Sequence, residues 1–226
     1  MKGNGVIVAR DVCKYYRMGT NEVRALDHVT VEIGAGEFVA LMGPSGSGKT
    51  TLMNIIAGID NPTSGRVCVA GAELQEMSEA ERSAWRTRTI GYVFQNFNLV
   101  PVLTAEENVE LPLLLLPLSR AERRAHVEAA LESVNMLAWR RHYPRQLSGG
   151  QEQRVAIARA IVTDPAVLVA DEPTGNLDAE AEREVMELLV QLNRQLGTTV
   201  VMVTHDATAA SYAGRIIRLE KGRIRG

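Results

Sequence analysis

Long apolar runs are missing from this sequence. The longest aliphatic stretch, Leu111 to Leu118, is interrupted by Pro112 and Pro117. A bilayer span needs about 20 apolar residues, so the chain is expected not to cross a membrane and to take any membrane role through a partner. The N-terminal segment MKGNGVIVARD has no apolar core of the kind a secretion signal carries. Cysteine is scarce as well: Cys13 and Cys68 are far apart and in no metal-ligand spacing, which reads as free thiols in a reducing cytosol. A strong excess of one charge is also absent. Formal net charge is −2, so nothing draws the whole chain to nucleic acid or to an acidic membrane surface. No repeat, low-complexity tract or linker stands out.

What is present is enough for one large domain. The 226 residues are 46% apolar and 23% charged, an ordinary globular balance. Val6 to Val8, the partly alternating Leu26 to Ile33 and the continuous apolar run Phe38 to Met42 read as strands. A helix is expected from Thr50 to Ala57, stopped by Gly58. Helical patterns rich in Ala, Glu, Arg and Leu, such as Ser119 to Met136, fill the stretch from about 97 to 145. After them come an apolar strand Ala166 to Ala170, an amphipathic helix Ala179 to Leu196 and a strand Thr198 to Val203. Strands alternating with helices predict a parallel α/β core.

The segment Gly43-Pro44-Ser45-Gly46-Ser47-Gly48-Lys49-Thr50 matches the phosphate-loop pattern G-x-x-x-x-G-K-[ST]. Its glycines let backbone N–H groups converge on an anion, and the following helix points its positive end there. Lys49 would neutralise the β- and γ-phosphates, and the Thr50 hydroxyl can ligate Mg²⁺. The run Val167-Leu168-Val169-Ala170-Asp171-Glu172 ends a strand in two carboxylates. Asp171 is placed to hold Mg²⁺ through water, and Glu172 to polarise an attacking water. Leu147-Ser148-Gly149-Gly150-Gln151 precedes a helix expected over Glu152 to Val162. It reads either as a capping box or as a second anion cradle. As a cradle it has no lysine, so it is half a site whose complement could come from another subunit.

With these motifs in order, the chain resembles the ATP-binding cassette (ABC) ATPase family along essentially its whole length. The markers that carry the resemblance are the phosphate loop 43–50, Gln95, the LSGGQ signature 147–151, the strand and carboxylates 167–172, Gly175-Asn176-Leu177-Asp178 and His205. The resemblance implies a P-loop NTPase of α/β class. It has a mostly parallel core sheet, an N-terminal antiparallel β lobe and a helical lobe inserted at about 97–160, all within one domain, 1–226. It further implies that Tyr16, in Lys14-Tyr15-Tyr16-Arg17-Met18-Gly19, stacks on adenine. Gln95 would touch Mg²⁺ and the water, Asp178 would act across a dimer, and His205 would contact the γ-phosphate. The ATP-binding set is then Tyr16, Gly43, Pro44, Ser45, Gly46, Ser47, Gly48, Lys49, Thr50, Thr51, Ser148, Gly149, Gly150, Gln151 and Asp178. Glu172, His205 and Gln95 are the catalytic set, and Thr50, Gln95 and Asp171 the metal set.

A narrower resemblance, to the branch of macrolide exporters and lipoprotein-releasing transporters, rests on Asn96 to Pro101, Leu103 to Val109 and Ala170 to Asp178. It implies a mechanotransmission system at the cytoplasmic face of the inner or plasma membrane. Its partners would be a second copy of this chain in an ATP sandwich and transmembrane permease subunits. Two other roles of ABC ATPases use the same core motifs. Action on nucleic acid is disfavoured because only about a hundred residues, without sustained heptads, separate the loop from the signature. Regulation of cell-envelope or division machinery without transport would need the same ATPase residues. The arginine groups 82/86/88, 120/123/124 and 140/141/145 are interleaved with acids and read as solvated faces, with the alternative, implied by the family resemblance alone, that the stretch 82–97 borders a groove for the membrane partner's coupling helix.

Overall fold

The computed structural model describes residues 5–19 and 21–225; the first four residues of the N-terminal segment discussed above lie outside them. Two sheets organise the molecule. The first is four-stranded and antiparallel: β1 (Gly5–Met18), β2 (Asn21–Gly34), β4 (Ser64–Val69) and β5 (Ala72–Glu73), in the order β2-β1-β4-β5. The second is six-stranded, in the order β10-β9-β3-β8-β7-β6. It contains β3 (Phe38–Met42), β6 (Ile90–Val93), β7 (Val167–Asp171), β8 (Thr199–Val203), β9 (Arg215–Glu220) and β10 (Arg223–Arg225). Every pairing in it is parallel except that of β9 with β10.

The continuous apolar strands are buried on both faces, as their composition requires. Phe38, Ala40, Leu168, Ala170, Val200 and Met202 enter one core, with the helices. Val39, Leu41, Val167, Val169, Val201 and Val203 enter the other, with α1 (Lys49–Ile56) and the antiparallel sheet. Between β6 and β7 lie α3 (Ala105–Glu110), α4 (Arg120–Ser133) and α5 (Gly149–Ile161); α2 (Glu79–Thr89) precedes β6. After β7 come α6 (Ala179–Leu196) and the short α7 (Ala207–Ala210). Among the described residues no helix is long and apolar enough to cross a membrane.

Helix ends differ from expectation by a residue or a few, because caps rather than periodicity set them. Ser119 accepts from the Glu122 N–H and so starts α4 at Arg120; Ser148 likewise starts α5 at Gly149. Val6 to Val8 is part of a 14-residue strand, not a short one. Arg82 does not lie on a solvated face. It is 4% exposed, and its guanidinium donates to Asn61 and Glu79. Arg86 donates to the Gly58 carbonyl at 2.7 Å, so α2 docks on the end of α1 through its arginines.

Candidate active site

The phosphate loop links β3 to α1 and lies against two other segments. Gly43 has φ 153°, and a Cβ there would stand 2.1 Å from the Leu219 carbonyl oxygen. Gly48 has φ 101°, and its Cβ would stand 2.3 Å from the Ala25 oxygen. Any larger residue would push the loop off β9 and β2. The loop is also pinned by the Gly222 N–H, which donates to the Ser47 oxygen at 3.0 Å.

The end of α1 is built to receive an anion. Its N-cap Gly48 supplies no side-chain hydrogen bond, and no acid lies in its first turn. Among the described residues, the other six α-helices are each capped by a Ser, Thr or Asp side chain. The free N–H groups and positive end of α1 thus face the cleft unneutralised. Lys49 is 8% exposed and donates to its own loop, to the oxygens of Gly43 (2.7 Å) and Pro44 (3.0 Å). The Ser47 Oγ is buried without a hydrogen-bond partner.

A cleft of about 770 Å³ brings together residues 43–51, Gln95, Asp171, Glu172, Val203 and His205. Asp171 ends β7 half-buried, and burial raises its carboxyl above the usual range, helped by the Glu172 charge and opposed by Lys49. Glu172 takes a left-handed backbone, φ 48°, and its N–H donates to the Val203 oxygen at 2.9 Å. This turn out of β7 sets the carboxylate beside His205, just past β8. His205 Nδ1 lies 2.8 Å from Glu172 Oε1 and 2.9 Å from Oε2. The Glu172 carboxylate raises the imidazole above its ordinary value.

Gln95 is held from two sides. The Asn176 amide donates to its carbonyl at 3.1 Å, and Gly175 leaves space that a Cβ would fill 2.8 Å from Gln95 Nε2. Tyr16 is not among the cleft's lining residues. Its hydroxyl donates to Asp60 at 2.7 Å, the Thr51 side chain is in hydrogen-bonding contact, and the Lys14 ammonium lies 4.9 Å from its ring centroid.

Ser148, Gly149, Gly150, Gln151 and Asp178 do not line the cleft either. The capping-box reading holds: Ser148 Oγ accepts from Gln151 N–H at 3.3 Å, and Gln151 Oε1 accepts from Ser148 N–H at 2.9 Å. Asp178 caps α6 through the Ala181 N–H at 2.9 Å. Ser148, Gly149 and Asp178 are exposed. The signature is therefore a presented surface and is not part of the cleft of its own chain.

Two positioning residues escaped the sequence reading. Gln153, fully buried, donates to the Pro173 and Phe94 carbonyls and so ties α5 to the segments following β7 and β6. Arg159 donates to the oxygens of Asn98 (2.6 Å) and Phe97 (2.7 Å), both in left-handed conformation just after Gln95. The available signal was a polar side chain at helical spacing from Ala156, Ile157 and Ala160, on a face otherwise apolar.

A P-loop between a buried strand and an uncapped helix, with carboxylates at the end of a nearby parallel strand, defines a P-loop protein that binds a nucleoside triphosphate. The particular family follows from comparison. Residues 26–175 match the family model described as ABC transporter. The chain is 47% identical to the ABC transporter ATP-binding protein MJ1508 of Methanocaldococcus jannaschii, over 97% of both chains. It is also 47% identical to a macrolide export ATP-binding/permease protein, MacB, of Rhodopirellula baltica, covering 93% of this chain but 31% of that one. The chain thus spans about a third of the macrolide export relatives it matches. Among solved structures, the ATP-binding cassette MJ0796, a dimer in a post-hydrolysis state bound to ADP and Pi, superposes with TM-score 0.88 at 44% identity over 97% of each chain. The protein belongs to the ABC transporter family, as one of its ATP-binding and ATP-hydrolysing members.

Proposed function

We propose that two copies of this chain close on ATP and drive a membrane permease of the exporter or lipoprotein-releasing kind from the cytoplasmic face. The observation that carries this reading is the division of the anion-binding elements. One face holds the P-loop cleft. The LSGGQ motif, on a capped and exposed helix start, is outside that cleft. In a head-to-tail pair, Ser148, Gly149, Gly150 and Gln151 of one copy would complete the triphosphate site of the other, with Asp178 at the seam. The MJ0796 dimer and the fused permease of MacB support the pairing and the partner.

Within one site the residues divide the work by position. The N–H groups of residues 43–51 bind phosphate oxygens, and Lys49 leaves its loop carbonyls to neutralise them. Tyr16, beside Thr51, offers a ring to the adenine. Glu172 accepts the proton of the attacking water, and His205 steadies the Glu172 carboxylate and reaches the terminal phosphate. The hard oxygens of Thr50, Gln95 and Asp171 suit Mg²⁺, because Asp171 is half-buried beside a second carboxylate and gains from a cation there. When bound, that ion would supply charge neutralisation for the phosphates. The whole chain, 1–226, acts as one ATPase domain.

Replacing Glu172 by Gln tests the mechanism. Hydrolysis should fall at least about 10²–10⁴-fold, the share typical of a general base. ATP should still bind, and the variant should accumulate as an ATP-bound dimer in sizing experiments. Adding Ser148→Arg should return it to monomer. Wild-type turnover by Glu172→Gln would overturn the role of Glu172, and an ATP-loaded monomer would overturn the shared site.

A further inference from the structure

Cys13, Asp27 and His28 lie on the antiparallel sheet, outside the nucleotide cleft, and were not associated by their spacing in sequence. The pairing of β1 with β2 explains how they meet. Val12 pairs with Val29 and Lys14 with Leu26, so Cys13 alone faces the two residues Asp27 and His28. This is a β-bulge, which bends a strand and re-aims its side chains. His28 takes a left-handed backbone at φ 54°, and its N–H donates to Cys13 Sγ at 3.3 Å. One ligand-type atom from each of Cys13, Asp27 and His28 falls within 4.8 Å of the other two. No other such group occurs among the described residues.

The outer contacts hold these atoms as a metal site would. Asp11 Oδ1 lies 2.7 Å from His28 Nδ1, which leaves Nε2 facing Asp27 Oδ1 at 3.8 Å. Arg223 binds the opposite oxygen of Asp27, Oδ2, through Nε at 2.9 Å and Nη2 at 2.7 Å. Carboxylate support on the far nitrogen of a ligand histidine is the usual second layer of zinc sites. Cys13 forms the buried floor, while the His28 side chain is 63% exposed and gives an entry path.

We propose that Cys13, Asp27 and His28 form a binding site for a zinc-like divalent ion, held by sulfur, oxygen and nitrogen with water as fourth ligand. That donor set and a four-coordinate geometry suit Zn²⁺ and disfavour Mg²⁺ or Ca²⁺, which take oxygen ligands. The site is linked to the nucleotide loop through two backbone hydrogen bonds. Asp27 N–H donates to the Gly222 oxygen at 2.9 Å, and Gly222 N–H donates to the Ser47 oxygen.

The test is titration of the metal-stripped, nucleotide-free chain with Zn²⁺ by calorimetry and with Co²⁺ by absorption spectroscopy. One ion per chain is expected, and the Co²⁺ form should show a thiolate charge-transfer band with the d–d bands of four-coordinate cobalt. Cys13→Ser should abolish the band. His28→Asn, which keeps a left-handed backbone accessible, should weaken Zn²⁺ at least tenfold in a folded protein. Asp11→Asn should weaken it about 10–100-fold. Cys68→Ser and Asp171→Asn should leave both signals intact, which separates this site from the nucleotide cleft. A six-coordinate cobalt spectrum without a thiolate band, or undiminished Zn²⁺ affinity in His28→Asn, would overturn the proposal.

Discussion

Glu172 and His205 hold each other across the ends of two neighbouring strands, and this contact has a pH signature. His205 is raised above its ordinary value, first by its hydrogen bond to Glu172 and then by that carboxylate's charge. A raised histidine contributes stability below the unfolded value, about 6.5, and loses it as pH rises through the folded value. An NMR titration should therefore place the His205 midpoint above that of an ordinary imidazole. Glu172→Gln should lower it toward the ordinary value; an unchanged midpoint would show that the pair does not form in solution. Gln95 and His205 were reached only through the resemblance to the family, whereas Lys49, Thr50, Asp171 and Glu172 were legible in the sequence because their motifs are local. Gln153 and Arg159 were not, since each acts on carbonyls that are about 20 to 62 residues away. Hydrogen-bond partners at such separation leave no spacing to read.

At the scale of elements, caps and close approaches decide more than propensity does. α1 is left uncapped where an anion is to bind, and its neighbours are sealed by Ser, Thr or Asp. β6 passes so near α5 that a Cβ on Gly91 would stand 2.2 Å from the Ala160 carbonyl oxygen. Backbone cannot yield as a side-chain end can. Gly91→Ala should cost about 1–3 kcal/mol of stability, read as a lowered denaturation midpoint, by the overpacking it imposes. A midpoint equal to wild type would show that β6 and α5 can separate. The long buried strands β3, β7 and β8 were readable from continuous apolar runs. β4, β9 and β10 were not, because charged side chains interrupt their apolar residues.

Across the described residues, large apolar side chains are left exposed at several places, among them the stretch before α4. Val102, Leu114 and Leu115 are 79%, 55% and 73% exposed in the segment between β6 and α4. Leu114 and Leu115 are neighbours in sequence, and contiguous exposed apolar surface is the kind that protein partners cover, so this pair is the one to test. Leu114→Glu with Leu115→Glu should sharply reduce co-purification with a permease from membranes, while ATP affinity of the isolated chain stays at the wild-type level. Full co-purification of that double variant would move the docking surface elsewhere.

The sequence by itself determined the chemistry: a glycine loop with lysine and threonine, two carboxylates after an apolar strand, and a capped LSGGQ helix are each read within one short segment. Only the tertiary structure decided which of these share a cleft. Parallel strands β3, β7 and β8 lie side by side and carry their C-terminal ends, with Lys49, Asp171, Glu172 and His205, to one edge of the sheet. The signature sits at the start of a helix that packs on the face of that sheet, and its serine is not among the residues that line the cleft of its own chain. The bulge that gathers Cys13, Asp27 and His28 is likewise a product of strand register. Side chains that meet across a sheet are set by pairing between distant residues, and no single segment encodes that pairing.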